Sequence, residues 1–380
     1  MTGPLPFTAL VGAVSARTPL GLTARQTTFC ARARKGEPRS TRFRNRLDRS
    51  IGACTTPGLS DGLEGIDRMI ALAAPALAAV AASARSHGVS PIARGAGSGA
   101  GAGATGAPEE SRSPWPLLLA VPEPGRPDDD ARFGGGVLAE LAARAGVAID
   151  EARSSTFREG HAGFAHALAA AVELLSRGAG AGAGAAIVGA VDSYFHAGVL
   201  AWLDAEARVH GLGVENGFVP GEGAAFLVLS RSASPRGAAS PRSGAGAQVR
   251  LRAVETGVET SVETGAPNIG QTSSRLVAAI AQLDTPATIR WALTDVNGER
   301  HRVREWTQVA MRGSIAEGAK VDRFAEDLGD CGAASGAVLA VIAHELLVTG
   351  AAPAENACIA LAADGAARGA FSLGLEGSTS

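Results

Sequence analysis

The sequence predicts an α/β fold built as two similar halves, and three observations carry that prediction. Apolar residues make up 46% of the 380-residue chain and charged residues 19%, ample for a large core. Apolar, β-branched runs alternate with stretches of helical periodicity along the whole chain. That alternation runs through twice, separated by SASPRGAASPRSGAGAQ (232–248), a linker by composition. The halves then cover 1–231 and 249–380, and the alternation implies buried sheets between layers of helices.

In chain order, FTALVGAV (7–14) reads as a short buried strand followed by a turn. Residues 32–49 carry Arg32, Arg34, Lys35, Arg39, Arg42, Arg44, Arg46 and Arg49. The plain reading is a solvated basic loop; the functional one is an electropositive patch for a phosphate-bearing carrier. Leu63, Ile66, Ile70, Leu77 and Val80 fall on one stripe and predict a helix over 62–87, capped by Ser60 or Asp61. GAGSGAGAGATGAP (95–108) is a low-complexity surface insertion. It lacks the Lys-Ser/Thr ending that a phosphate-cradling loop requires. WPLLLAVPEP (115–124) is a strand stopped by prolines. Residues 131–145 and 162–177 read as helices, the second burying Phe164, Leu168, Val172 and Leu175. AAIVGAVDS (185–193) is a strand, and VPGEGAAFLVLS (219–230) ends in another. After the linker come strands at 249–258, 288–295 and 356–361, and helices at 271–284, 303–317 and 334–348.

A net charge of −2 and 4% aromatic residues argue against a dedicated nucleic-acid binder. Lys35 and Lys320 are the only lysines; the excess of Arg, Ala and Gly reads as genome bias. The four cysteines, Cys30, Cys54, Cys331 and Cys358, lie far apart with no C-x-x-C pair. A disulfide or zinc framework is not expected, and no metal or cofactor is implied. His166, His196, His210 and His344 have no partner at ligand spacing. The first residues lack the charged start of a secretory signal. The longest apolar stretch, Ala333–Ala343, falls short of a membrane span. The expected location is the cytoplasm.

Five stretches, taken in order, then become specific. GFVPGEGAAFLVL (217–229) closely resembles the GF-x-x-GEGA-x-x-LVLE segment of β-ketoacyl synthases, the condensing enzymes of thiolase-like fold. VGAVSARTPLG (11–21) is similar to that family's first strand and turn, AAIVGAVDS (185–193) to its strand ending in a GG-x-D/E turn, and LGDCGAASGA (328–337) to its G-H-T-x-A-A-A-G loop and helix. AFSLGLEG (370–377) resembles its S-F-G-F-G-G-T-N turn. The resemblance covers nearly the whole chain. It implies a five-layer α/β/α/β/α sandwich of two βαβαβαββ halves, usually dimeric. On this register the pocket and its turns include Gly221, Glu222, Gly223, Phe371 and Gly374, with Gly221–Gly223 in a tight turn leading into a central strand. Because the chain stops at Ser380, just after the glycine-rich turn, the final strand is expected to be short or lost.

The resemblance also implies a site: a Cys nucleophile at the N-terminus of a buried helix, two His that stabilise an enolate oxygen, and a supporting Lys. Counting back from Gly178 puts the nucleophile position at His161, in a window Glu159–Gly163 that holds no Cys, Ser or Thr. In TDVNGERHR (294–302), Gly298 matches H-G-T-x-T, so Asn297 stands where the first His belongs and His301 where the second Thr belongs. Asp330 stands at the second His position and Ala325 near the Lys. His161, Asn297 and Asp330 are therefore the degenerate catalytic positions, expected to converge beneath the Phe371–Gly377 turn. A helix N-terminus would keep His161 neutral. Cys331, beside Asp330, reads as a buried core thiol with a raised pKa. Asp192 and Glu222 are expected to hold turn amides. Asp295, Glu299, Arg304 and Glu305 read as a solvated, salt-bridged helix start. Their DVNGER…EW form resembles a divergent bacterial branch of ketosynthase-like proteins, some of which act as accessory components of type VI secretion.

Three functions stay open. One is a catalytically inactive ketosynthase-like scaffold, adaptor or partner subunit, forming a homodimer or pairing with another ketosynthase-like chain, an acyl carrier protein or a secretion component. Another is an active condensing enzyme or acyltransferase with a rearranged site using His161, Asn297, His301 and Asp330. The third is a binder of acyl carrier or acyl-CoA through the 32–49 segment.

Overall fold

Strand β1 (Ala9–Arg17) alternates buried and half-buried residues, as a strand covered on both faces by different layers must. Around it the chain forms one continuous sheet in the order β10-β9-β11-β12-β8-β1-β7-β6-β4-β5. The computed structural model describes residues 5, 7–91, 113–177, 183–231, 248–261 and 269–376. The Gly-Ala insertion at 95–108 and residues 232–247 of the expected linker lie outside them.

Read outward from β1 and β8, the order is a duplication. The first series runs β1, α2 (Gly65–Ser86), β4 (Leu117–Ala120), α3 (Gly136–Ala145), β5 (Ser155–Phe157), α4 (Gly163–Ser176), β6 (Ala185–Ser193) and β7 (Glu222–Arg231). The second repeats it with β8 (Val249–Val258), α6 (Gln271–Ala281), β9 (Ile289–Thr294), α7 (Arg300–Met311), β10 (Ile315–Arg323), α9 (Ser335–Val348), β11 (Asn356–Ala362) and β12 (Ala367–Leu375). Both halves share one strand order, and they join where β1 pairs antiparallel with β8 over Ala9–Val11. Additions to the first half are α1 (Ala24–Arg32), the hairpin β2 (Arg39–Arg44) and β3 (Ser50–Ala53), and α5 (Ala197–Ala205). The second half adds α8 (Ala325–Leu328).

The expected five layers follow from where the apolar faces go. α4 and α9 are apolar nearly all round and pack between the two halves of the sheet, inside one cluster with strands of both. α2 and α3 cover the outer face of the first half, and α6 and α7 that of the second. α2 is long and apolar enough to cross a bilayer, but 67% of its most apolar window is buried inside the protein, as a core helix requires.

Several sequence expectations need correction. α2 starts at Gly65 after Glu64, not under a Ser60 or Asp61 cap; Ser60 instead accepts a bond from the Arg68 guanidinium through its carbonyl. The basic stretch 32–49 is solvated as expected but only partly loop, with a connection at 33–38 and a turn at 45–49. The rest is the end of α1 and the strand β2 of the β2–β3 hairpin, whose Phe43 packs edge-on against Phe195. α7 stops at Met311, where Gly313 turns with φ +86°, so the expected helix tail becomes β10. The segment 370–377 is not a turn either: 367–375 is β12, paired along its length with β11 and β8. The final strand is thus neither short nor lost. Alternating small and apolar residues in AFSLGL follow the period of a strand, and the glycine there carries no turn.

Candidate functional site

Two equivalent corners build the site. At one, Gly160, with φ +52°, opens a 3-10 turn over Gly160–Ala162 that feeds α4. At the other, Gly329 and Gly332, with φ +68° and +52°, flank Asp330 and lead through Gly332–Ala334 into α9. His161 and Asp330 therefore stand at the starts of the two central helices, each 2% exposed. Asn297 comes from the loop between β9 and α7.

The three expected residues meet. His161 Nε2 lies 2.8 Å from Asp330 Oδ1, and Asn297 Nδ2 donates to Asp330 Oδ2 at 2.5 Å. The Gly332 amide also donates to Asp330, at 2.7 Å. Above them lies no glycine-rich turn from β12 but the β11–β12 connection, Ala363–Ala366. Phe371 sits in β12 and packs edge-on against Phe164 in the core, while Gly374 faces Asn356 on β11. Neither belongs to the site.

Sequence reasoning missed the residues that close the cluster. Arg302, 2% exposed, donates to Asp364 at 2.5 Å, to Asp295 at 3.3 Å and to the Ala362 carbonyl, and it faces His161 Nδ1 at 3.2 Å. Arg208 donates to Glu299 at 2.7 and 3.0 Å and lies 2.8 Å from Asp364. Asn297 Nδ2 also donates to Glu299 at 3.0 Å. The expected solvated helix start is salt-bridged but not solvated: Asp295, Glu299 and Glu305 are buried, and only Arg304 among the four points outward. The Asp-Gly pair at 364–365 is a hairpin signal that could have flagged Asp364.

Charge balance sets the protonation pattern. Burial raises the Asp330 pKa, but His161, Arg302 and Asn297 outweigh it and hold this carboxyl well below the usual carboxylate range. Burial and Arg302 push His161 down, while Asp330 and Asp295 push harder, so its pKa lies above the ordinary imidazole value. The shift runs opposite to the one expected from a helix N-terminus, because a bonded carboxylate outweighs a partial dipole. A guanidinium only donates, so in the neutral ring the facing Nδ1 accepts while Nε2–H bonds Asp330, and protonation would end the bond to Arg302. Both ring nitrogens are committed. Burial raises Cys331 well above the usual thiol range, with Asp330 adding to it, as the sequence led one to expect.

Beneath the cluster a second network ties the corners together. Asp192 accepts from Arg126 at 2.8 Å and from the Ala333 amide at 2.8 Å. Glu222 accepts from Arg68 at 2.6 and 2.9 Å, from the Thr56 amide and from Ser193. The two carboxylates do hold amides, but from within strands and each against a buried arginine. Gly221–Gly223 is likewise extended rather than a tight turn. Pro220 bridges Asp330, and a Cβ on Gly221 would lie 2.5 Å from the Leu328 carbonyl oxygen, so only glycine fits this approach.

The two cavities bordering the cluster each have room for about one water, near 20 Å³. His301 is exposed on α7 and joins the acidic side only through spacing: one ligand atom each of Glu299, His301 and Asp364 lies within 4.8 Å of the others. Arg208 and Arg302 already pair with both carboxylates, so a cation there would have to displace them.

No family model matches the sequence, and no curated protein matches it. Solved structures do. The ishigamide ketosynthase/chain length factor is similar over 97% of this chain and 100% of its own, with TM-score 0.62 and 17% identity. A ketosynthase in complex with its chain length factor from Xenorhabdus doucetiae is similar over 97% and 98%, with TM-score 0.68 and 13% identity. The chain has the ketosynthase fold. The ketosynthase from module 6 of the bacillaene synthase of Bacillus subtilis 168 shares it over 98% of this chain and 73% of its own, with TM-score 0.65 and 11% identity. Likeness at these identities is one of fold.

Proposed function

We propose that this ketosynthase-fold chain is catalytically inactive and works in the cytoplasm as a dimeric scaffold, adaptor or partner subunit, its halves divided at 232–248. The observation that carries this reading is the sealing of the corner at His161. The window 159–163 offers no thiol or hydroxyl, and both imidazole nitrogens of His161 are engaged, one by Asp330 and one by Arg302. An acyl group needs a nucleophile with a free electron pair, and an enolate needs neutral donors; Asp330 presents a carboxylate instead. The pairing of ketosynthases with chain length factors among the similar structures supports a partner-subunit role. The test gives purified protein acyl- and malonyl-carrier and follows it by intact-mass spectrometry and product analysis. The expected result is no 3-oxoacyl product and no acylated protein. Stoichiometric acylation abolished by His161→Ala would overturn the reading and favour a rearranged active site.

A second reading, a binder of acyl carrier or acyl-CoA, draws on the hairpin. Lys35 just before it, and Arg39 and Arg49 within it, are exposed and make no ion pair with any described residue. Coenzyme A binding weakened by Arg39→Glu with Arg49→Glu would support it.

A further inference from the structure

α1 buries Ala24, Thr27, Thr28 and Ala31 against α9 and β1. Its opposite stripe is unusual for a solvated helix. Phe29 is 58% exposed, Leu22 just before the helix is 40% exposed, and Arg25 and Arg32 flank Phe29 one turn away on either side. A groove runs beside this stripe, lined by Phe29 and Thr28 of α1 and by Leu346 and Thr349 at the end of α9.

The charges on the rim are also unspent. Arg34, Arg42, Arg44 and Arg46 in the segment that follows all pair with carboxylates. Arg25 and Arg32 pair with none among the described residues. Glu345, the one carboxylate lining the groove, is turned to His344 at 3.4 Å. We propose that the groove between α1 and the end of α9 docks an acidic amphipathic helix of a partner protein. Its apolar stripe covers Phe29 and Leu346, and carboxylates two turns apart meet Arg25 and Arg32, which are about 10.5 Å apart along α1. Two cations around an apolar floor suit such a helix better than a nucleic-acid backbone, which asks for a row of cations and no floor. The groove lies at the far end of α9 from Asp330, about 20 Å away at helical rise. The contact is therefore a scaffold joint, independent of whether the His161 corner reacts.

The test uses the full chain and a fluorescein-labelled helical peptide of about 18 residues with a Leu/Phe stripe and Glu at i and i+7. Its twin carries Lys at those positions. Anisotropy should show saturable binding of the Glu peptide that weakens severalfold between about 50 and 300 mM salt. Phe29→Ser and the double change Arg25→Glu, Arg32→Glu should each weaken it about tenfold or more, and the double variant should bind the Lys twin instead. Both variants alter exposed side chains, so their circular dichroism should match the parent. The proposal fails if the Glu peptide binds no better than its Lys twin, or if the variants bind it unchanged. It fails equally if phosphatidylglycerol vesicles or duplex DNA bind more tightly and lose that binding in the same variants, which assigns the surface to lipid or nucleic acid.

Discussion

His161 and Asp330 titrate in opposite directions, and their opposition sets a pH window. The depressed Asp330 carboxyl contributes stability that is full above the ordinary carboxylate value and is lost as pH falls through its folded pKa. The raised His161 pKa contributes stability that is full below the ordinary imidazole value and fades as pH rises through its folded pKa. Both act together between about pH 4 and 6.5. Asp330→Asn leaves His161 without its carboxylate, and the expected loss in urea denaturation is about 3 kcal/mol, greatest inside that window. A loss under about 1 kcal/mol, or one that does not vary with pH, would show that the pair does not form. Thiols give a second residue-scale prediction. Burial raises Cys54 to about 11, Cys358 to about 12 and Cys331 well above the usual thiol range, whereas Cys30 is half-buried. Native protein should label at Cys30 alone with an aromatic disulfide reagent, and the other thiols only after unfolding. Rapid native labelling of Cys331 would mean an open site.

At the scale of elements, the corner before α9 depends on a glycine. Gly332 has φ +52°, and a Cβ there would stand 2.0 Å from Asp192 Oδ2. That oxygen accepts from the Ala333 amide and from Arg126. Gly332→Ala should therefore add backbone strain and dislodge a buried ion pair, costing about 3 kcal/mol or more. Gly350, with φ +68° and nothing near its missing Cβ, is the control; Gly350→Ala should cost only about 1 kcal/mol. Equal losses in chemical denaturation would show that the corner is not held by Asp192.

At the scale of the molecule, the duplicated halves share their middle. The sheet joint itself is short, limited to Ala9–Val11 against Val249–Leu251, but α4 and α9 pack against strands of both halves in one apolar cluster. Neither half can keep that layer alone without exposing the other face of the same helices. Unfolding should therefore be a single transition. Far-UV dichroism should coincide with the fluorescence of tryptophans that lie in both halves, Trp115 and Trp291 among them. Two separated transitions would mean the halves are independent.

Periodicity alone located β6 and β8 to the residue: β6 is a nine-residue buried run with few other uses, and the first residues of β8 alternate apolar with charged. It also placed α4 and α9 within a residue or two, and with the motif order it brought His161, Asn297 and Asp330 to one place. It failed at β10 and β12, where Lys320, Gly318 and Gly374 disguise strands whose pairing is set by distant neighbours. It failed also at the charges. Sequence gives a net charge and a list of arginines but not which of them leave water, and the run Asp295–Glu305 reads the same whether solvated or buried. Arg302, Arg208 and Asp364 became a cluster only when β9, β11 and α7 were stacked, because burial is a property of what lies above a residue rather than beside it in the chain. Residue order thus determined which segments are strands and central helices. The tertiary packing decided which charges they enclose, and a charge taken out of water must find its partner there.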